Sequence, residues 1–275
     1  MSKFRMRLIS GVVGAAVVLL LIFAPPVVFH IAVAIACLIA LFELCRTFEQ
    51  TKKWQLMVLG YVFSLIFLVT PVLPVSVPKE LFMFLLVVYL MLLAICSVLF
   101  HDTIKFSDVS RMLFSLVYGV LFLMHLSYIR MLDHGTALVI LVFLGAWMPD
   151  TFAFFAGRFF GKHKLIPQVS PKKTVEGSVG AVFGAVISFM AYGLILQFGF
   201  GYSVNYLLLL PLSLTCGVVS QFGDLSASVI KRECGKKDFG NLIPGHGGML
   251  DRIDSLVFIA PLIYYFLLIF EVICK

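Results

Sequence analysis

Charge is what this chain of 275 residues has least of: Asp, Glu, Lys and Arg make up 13%, while 61% is hydrophobic and the mean hydropathy is +1.08. Soluble proteins carry roughly 25% charged and 45–50% apolar residues, so a soluble globular chain is excluded. No polar stretch is long enough to form a separate soluble domain. The six cysteines (Cys37, Cys45, Cys96, Cys216, Cys234, Cys274) contain no C-x-x-C pair and fall mostly within or beside apolar runs. That pattern argues against a disulfide framework and a zinc site. The G-x-x-x-x-G-K-[ST] order of a P-loop is missing, as is any obvious Ser-His-Asp arrangement, and no repeat marks an inverted-repeat transporter. Net charge is +7. It does not point to nucleic acid, because the basic residues sit between apolar runs, where membrane topology accounts for them.

What the chain has in abundance is apolar runs of about 20 residues, the length that spans a bilayer. Nine are expected, near 8–23, 27–44, 56–72, 81–100, 112–127, 137–155, 177–198, 206–222 and 255–273. The fold class is therefore all-α, a polytopic integral membrane protein. The basic head MSKFRMRLIS and the apolar stretch after it have the form of a signal peptide, but further spans follow at once, so a retained first helix is expected. Sides alternated from a cytoplasmic N-terminus leave only Lys79, Arg130 and Lys275 of the 21 basic residues outside. This is the asymmetry of the positive-inside rule, and an odd number of spans puts the C-terminus outside. Two regions follow: 1–136 with about five spans, and a catalytic region 137–275 with about four. The long polar loops 157–176 and 223–254 of the second region share the cytoplasmic face of the cell's inner (plasma) membrane.

The segment from Asp224 to Asp254, DLSASVIKRECGKKDFGNLIPGHGGMLDRID, holds four Asp, five Lys or Arg, one His and five Gly. Carboxylates suit a hard divalent cation, Lys and Arg suit phosphate oxygens, and glycines admit a ligand close to backbone N–H groups. Asp224, Ser228 and Lys231 are spaced i, i+4, i+7, on one helix face. As a bare helix pairing that arrangement is worth only about a few tenths of a kcal/mol. A glycine-rich turn follows, Ile243-Pro-Gly-His-Gly-Gly248, and leads into Asp251, Arg252 and Asp254 at the start of the ninth helix. Free N–H groups and the dipole there can hold phosphate or steady carboxylates. Capping would need one acid, and two flank Arg252. His246 is open to several readings, with phosphate contact or turn structure favoured over a transition metal.

The other polar loop, GRFFGKHKLIPQVSPKKTVEGS, carries Arg158, Lys162 and Lys164, which read first as topological anchors facing anionic lipid. In Ser170-Pro-Lys-Lys-Thr-Val-Glu176 a proline stiffens a turn that presents Lys172, Lys173 and the hydroxyls of Ser170 and Thr174. That layout suits polyphosphate capture. Asp150 lies inside the sixth span after Pro149, and an intramembrane carboxylate is a functional candidate by default. Glu43, His30 and His125, near span ends, read as interfacial or helix–helix hydrogen-bonding groups.

Ser228-Val-Ile-Lys-Arg232 and the run from Lys237 to Asp254, KDFGNLIPGHGGMLDRID, resemble the defining motif of the phosphatidate cytidylyltransferase (CDP-diacylglycerol synthase) family. DTFAFFAGR from Asp150 and the stretch from Phe160 to Gly177 are similar to its second block, although Phe154 stands where the family often has Tyr. The motif resemblance begins at about Met148. It implies a nucleotidyltransferase of phospholipid biosynthesis that uses CTP and phosphatidate, releases CDP-diacylglycerol and pyrophosphate, and requires Mg2+. By position, Asp224 and Asp251 would hold the metal, Ser228 and Lys231 would line the centre, and Ser170 to Glu176 would help bind phosphate. Lys231 joins the two acids as the catalytic set. Arg232, His246, Gly247, Gly248, Arg252, Asp254 and Asp150 complete the substrate-binding candidates. Four Asp leave room for a second cation, and a homodimer is a further implication of the family. The rival enzyme is a CTP-dependent polyprenol or phytol kinase, which would need a general base for its alcohol. An ion-coupled transporter would place its charges near the bilayer midplane, whereas most of these are in loops.

Overall fold

The computed structural model describes residues 3–73, 78–243 and 245–274, with the side chains of 3–9 and 79 not described. The expectations for Lys3, Arg5, Arg7, Lys79 and Lys275 as charged side chains, and for Pro244 in the glycine turn, therefore lie outside the described residues. The helices are α1 (Lys3–Phe23), α2 (Pro26–Thr47), α3 (Trp54–Val69), α4 (Lys79–Leu99), α5 (Phe106–Leu116), α6 (His125–Met131), α7 (Gly135–Phe160), α8 (Val175–Leu194), α9 (Tyr206–Glu233) and α10 (Leu250–Ile269). Eight helical stretches among the described residues are long and apolar enough to cross a membrane. A ninth, α1, has Ser10–Phe23 as its described apolar part. Large apolar side chains such as Leu20, Val98 and Leu207 stand open on the helix surfaces. In water that surface would be strongly unfavourable, and lipid is its natural solvent. The all-α polytopic membrane class holds.

The details depart from the expected spans in three places. The fifth span begins earlier, at Phe106, and passes through a π-helical turn at Val117–Leu121. The last helix starts at Leu250, so Asp251 and Asp254 are both within it. Two short antiparallel ribbons also occur: β1 (Lys164–Ile166) with β2 (Ser170–Thr174), and β3 (Ser203–Val204) with β4 (Ile273–Cys274).

The chain divides into two compact units. Unit 1 comprises Met1–Ser127 and Lys236–Arg252, and unit 2 comprises Tyr128–Gly235 and Ile253–Lys275. In unit 1, Gly119 of the π turn lies against α2, where an added Cβ would come 3.0 Å from Leu44 Cδ1 and into ordinary contact with the backbone of Leu41 and Ala40. Tyr89 and Phe63 pack ring to ring, as do Phe67 and Phe82. His30 bonds Ser127 at 3.0 Å, the helix–helix role expected of it. Lys53 pairs with Asp108, and Asp108 Oδ2 accepts the Lys105 N–H at 2.8 Å to cap α5. In unit 2, α7, α8 and α9 pack together around Ala146, Phe189, Leu212 and Cys216. Tyr192 donates to the Ala137 carbonyl at 3.0 Å, tying α8 to α7.

Candidate active site

Within unit 2, three helices and the first ribbon bring acids and lysines to one cavity of about 390 Å³, lined among others by Asp150, Arg158, Lys172, Lys173, Gln221 and Asp224. Asp150 enters from α7 next to Pro149, Asp224 from α9, and Lys172 and Lys173 from β2. Lys173 Nζ lies 2.5 Å from Asp224 Oδ2. Ser255 Oγ donates to Asp150 Oδ2 at 3.2 Å, and the Ser255 N–H meets Asp254 Oδ1 at 2.9 Å. The carboxylates of Asp150, Asp224 and Asp254 act on one another electrostatically, with Lys173 and Lys231 as counter-charges. The gathered carboxylates offer hard oxygen donors that suit a cation, and Arg158 and Lys172 on the same cavity wall add positive charge that suits phosphate. Lys231 is buried along most of its side chain and acts electrostatically on Asp254.

The ribbon that carries the lysines is fixed at both ends. Thr174 Oγ1 accepts the Gly177 N–H at 3.1 Å and so caps α8. Glu176 binds back to His163, accepting from the ring at 2.7 Å and from the backbone N–H at 3.3 Å. Gln221 donates to the carbonyls of Gly217 and Ser178 at 2.7 and 3.2 Å, linking α9 to the start of α8.

Unit 1 carries the glycine turn. Gly245 and Gly247 have φ of +78° and +86°, values that L side chains adopt with strain. The turn closes through the Ile243 N–H on the Gly247 carbonyl at 2.9 Å. Asp251, buried at the head of α10, accepts at Oδ2 from the N–H groups of Phe239 (2.8 Å) and Gly248 (2.9 Å). His246 Nδ1 is 2.7 Å from Ser10 Oγ. Glu43 of α2 accepts from Met249 and Leu250 N–H groups at 2.9 and 2.8 Å.

Of the residues singled out from the sequence, Asp150, Lys172, Lys173, Thr174 and Asp224 line the unit 2 cavity; Asp254 interacts electrostatically with its two acids, and Lys231 with Asp254. Ser228 is half-buried one turn beyond Asp224 on α9, Ser170 opens β2, and Arg232 is exposed on the last turn of α9. His246, Gly247, Gly248, Asp251 and the exposed Arg252 belong to unit 1. The sequence carries no signal for Gln221, Ser255 and Ser10, and Glu43 reads from it only as an interfacial or helix–helix hydrogen-bonding group. Its position is nonetheless a signal: a carboxylate inside an apolar run is as much a functional candidate as Asp150.

Among the described residues, no three His, Cys, Asp or Glu converge as a metal cage. Mg2+ does not require one, since it usually takes one or two protein carboxylates and completes its octahedron with water and substrate phosphate. The hard oxygen donors present fit such a site. At Asp224 a cation would have to use the oxygen that Lys173 leaves or displace the ammonium.

The cytidylyltransferase family model matches residues 5–270, so the likeness read from Met148 onward extends through the N-terminal helices. The phosphatidate cytidylyltransferase of Bacillus subtilis is 34% identical over 281 aligned residues, covering 98% of this chain and 100% of that protein. Those of Thermotoga maritima and Staphylococcus saprophyticus are each 38% identical over 167 residues, 62% of their own lengths. A family match over nearly the whole length, with a full-length relative at this identity, shows that the chain belongs to the cytidylyltransferase family.

Proposed function

We propose that this chain transfers the cytidylyl group of CTP to phosphatidate, giving CDP-diacylglycerol and pyrophosphate. The observation that carries the reading is the lysine- and carboxylate-lined cavity of unit 2 in a chain built of membrane-spanning helices. A lipid phosphate monoester, with a second pKa of about 6, is already close to a dianion at neutral pH. It needs no strong base to become a nucleophile. One of its oxygens attacks the alpha-phosphorus of CTP, and the bond from that phosphorus to the bridging oxygen breaks. Pyrophosphate leaves with the electron pair.

The obstacle is repulsion between two polyanions, so catalysis rests on charge neutralisation and in-line positioning. Lys172 and Lys173 hold phosphate oxygens at the cavity wall, and Lys231 and Arg232 neutralise lipid phosphate and departing pyrophosphate. Asp150, hydrogen-bonded by Ser255, fixes the cavity floor, and Asp254 offsets the buried charge of Lys231. Among the acids, Asp224 and Asp251 are those assigned to Mg2+, which when bound withdraws charge from the nucleotide phosphates; the remaining Asp residues leave room for a second cation. The distribution of basic residues supports a cytoplasmic site, where CTP is available and phosphatidate can present its head group from the inner leaflet.

The test is incubation of detergent-purified protein with alpha-labelled CTP, phosphatidate and Mg2+, followed by separation of lipid from aqueous label. Phosphatidate-dependent label in the lipid, with pyrophosphate released, is the expected result. Label that enters a polyprenol from gamma-labelled CTP instead would replace this reading with the lipid kinase.

A further inference from the structure

The loop of unit 1 that ends in Asp251 is held from below by a helix that no sequence motif marks. Glu43 lies near the C-terminal end of α2 and is only 4% exposed. Its two carboxylate oxygens are divided between two consecutive amides: Oε1 accepts from Met249 at 2.9 Å and Oε2 from Leu250 at 2.8 Å. The Leu250 amide opens α10 and the Met249 amide immediately precedes it, so neither has a partner within the helix. The next acid along, Asp251, accepts from Phe239 and Gly248 at 2.8 and 2.9 Å. Four backbone N–H groups of one loop are thus shared by two carboxylates, one from inside the loop and one from α2.

The fit around Glu43 is close on two sides. A Cβ at Gly240 would stand 2.6 Å from Glu43 Oε1, and one at Gly248 would meet the same carboxylate more closely still. The glycines at these positions therefore make room for the carboxylate. A second tie runs in parallel, since Lys236 Nζ donates to the α2 carbonyls of Arg46 (2.7 Å) and Thr47 (3.1 Å). The two ends of the 236–252 segment are both fastened to the last turns of α2. A carboxylate placed only for helix capping would ordinarily come from the residue before the helix. This one comes from a distant helix.

We infer that Glu43 is a positioning residue, which sets the glycine loop and, through it, the direction of the Asp251 carboxylate. The inference rests on the assignment of Asp251 to the reaction. Glu43→Gln replaces one accepting oxygen with an N–H2 that faces a backbone donor, so one bond is lost and a repulsion takes its place. Hydrogen bonds to a charged group are the stronger kind, and losing one corresponds to roughly a ten- to hundredfold change in local opening.

The experiment compares the whole protein with Glu43→Gln, Glu43→Asp and Lys236→Met in detergent, reading amide hydrogen exchange across 236–252 alongside kcat and KM for cytidylyl transfer. A control, Phe67→Leu, loosens the buried Phe67–Phe82 contact elsewhere in unit 1. Glu43→Gln should speed exchange at Met249 and Leu250 about tenfold or more and lower kcat by a similar factor, with melting still cooperative. Lys236→Met should move both readouts the same way, and Glu43→Asp should retain more activity than Glu43→Gln. Phe67→Leu should lower the melting temperature while leaving kcat per folded molecule unchanged. Wild-type kcat in Glu43→Gln, or a kcat loss in Phe67→Leu that matches its stability loss, overturns the inference. If the wild-type protein transfers no cytidylyl group, the proposed function fails instead, and the exchange measurements still decide whether Glu43 holds the loop.

Discussion

Lys173 Nζ sits 2.5 Å from Asp224 Oδ2, joining the β1–β2 ribbon to α9 at the wall of the unit 2 cavity. The Lys173 Nζ is buried while the Asp224 side chain is 28% exposed, so desolvation of the ammonium offsets much of the attraction and the pair adds little net to folding. In the proposed reaction the pair would matter when a phosphate arrives: the ammonium would pass from carboxylate to phosphate oxygen and leave the carboxylate open to a cation. Lys173→Met should therefore cost far more in turnover than in stability. Loss of one preorganised charge donor at a reacting phosphate lowers kcat by about 10²–10³, while melting should shift by no more than the pair is worth. Turnover by phosphatidate-dependent label incorporation, measured beside thermal unfolding, checks this; an undiminished kcat would remove Lys173 from the mechanism.

Asp251→Asn separates charge from fold. The amide oxygen can still accept one of the N–H groups that Oδ2 now takes from Phe239 and Gly248, so the turn keeps much of its hydrogen bonding. The negative charge is gone. If that charge serves Mg2+, turnover should vanish at every magnesium concentration, and chelation of Mg2+ from the wild-type enzyme should reproduce the loss. Initial rates across a magnesium titration, on protein shown to be folded, make the comparison. Activity that returns at high magnesium would mean that Asp251 only tightens cation binding.

Lys79→Ala is the opposite kind of test. Lys79 begins α4 and belongs to the few basic residues assigned to the outer side. Its removal should leave kcat and KM unchanged, because a basic group on the outer side meets neither CTP nor the lipid phosphate of the inner leaflet. A large loss in a folded variant would contradict the sidedness read from the basic residues.

Much of this architecture is legible in the sequence because membrane helices announce themselves by length and apolarity. The continuation of α9 through Asp224, Ser228 and Lys231 was also readable, since their i, i+4, i+7 spacing has meaning only on a helix, and α9 does run to Glu233. The β1–β2 ribbon was not, because strands of three and five residues rich in Ser, Pro and Lys carry no alternating pattern. The π turn at Val117–Leu121 likewise has no composition of its own. Glu43 is legible only as a helix–helix hydrogen-bonding group, and its particular partners are not. Its partners are backbone amides of Met249 and Leu250, and a backbone partner leaves no complementary charge elsewhere in the sequence to be matched with it. Asp150 and Glu43 are both carboxylates within apolar runs, and such a position marks either of them as a functional candidate.

The glycine before Asp224 offers a test of how the acids of unit 2 are brought together. A Cβ on Gly223 would lie 2.9 Å from the Asp254 carbonyl oxygen and 3.1 Å from Ser255 Cα. Both neighbours are backbone, so no flexible side chain can swing aside, and α9 must move away from the adjoining part of α10. Forced overpacking of this kind costs about 1–3 kcal/mol. The same displacement would carry Asp224 away from Asp254 and disturb the Ser255–Asp150 bond of 3.2 Å, so Gly223→Ala should lower kcat as well as the melting temperature. Gly199, also in unit 2, has nothing within 4 Å of where its Cβ would be, and Gly199→Ala should leave both unchanged. Equal melting temperatures and equal turnover for the two variants would show that α9 and α10 have slack at this point, and the acid cluster would then owe its spacing to something other than the close approach at Gly223.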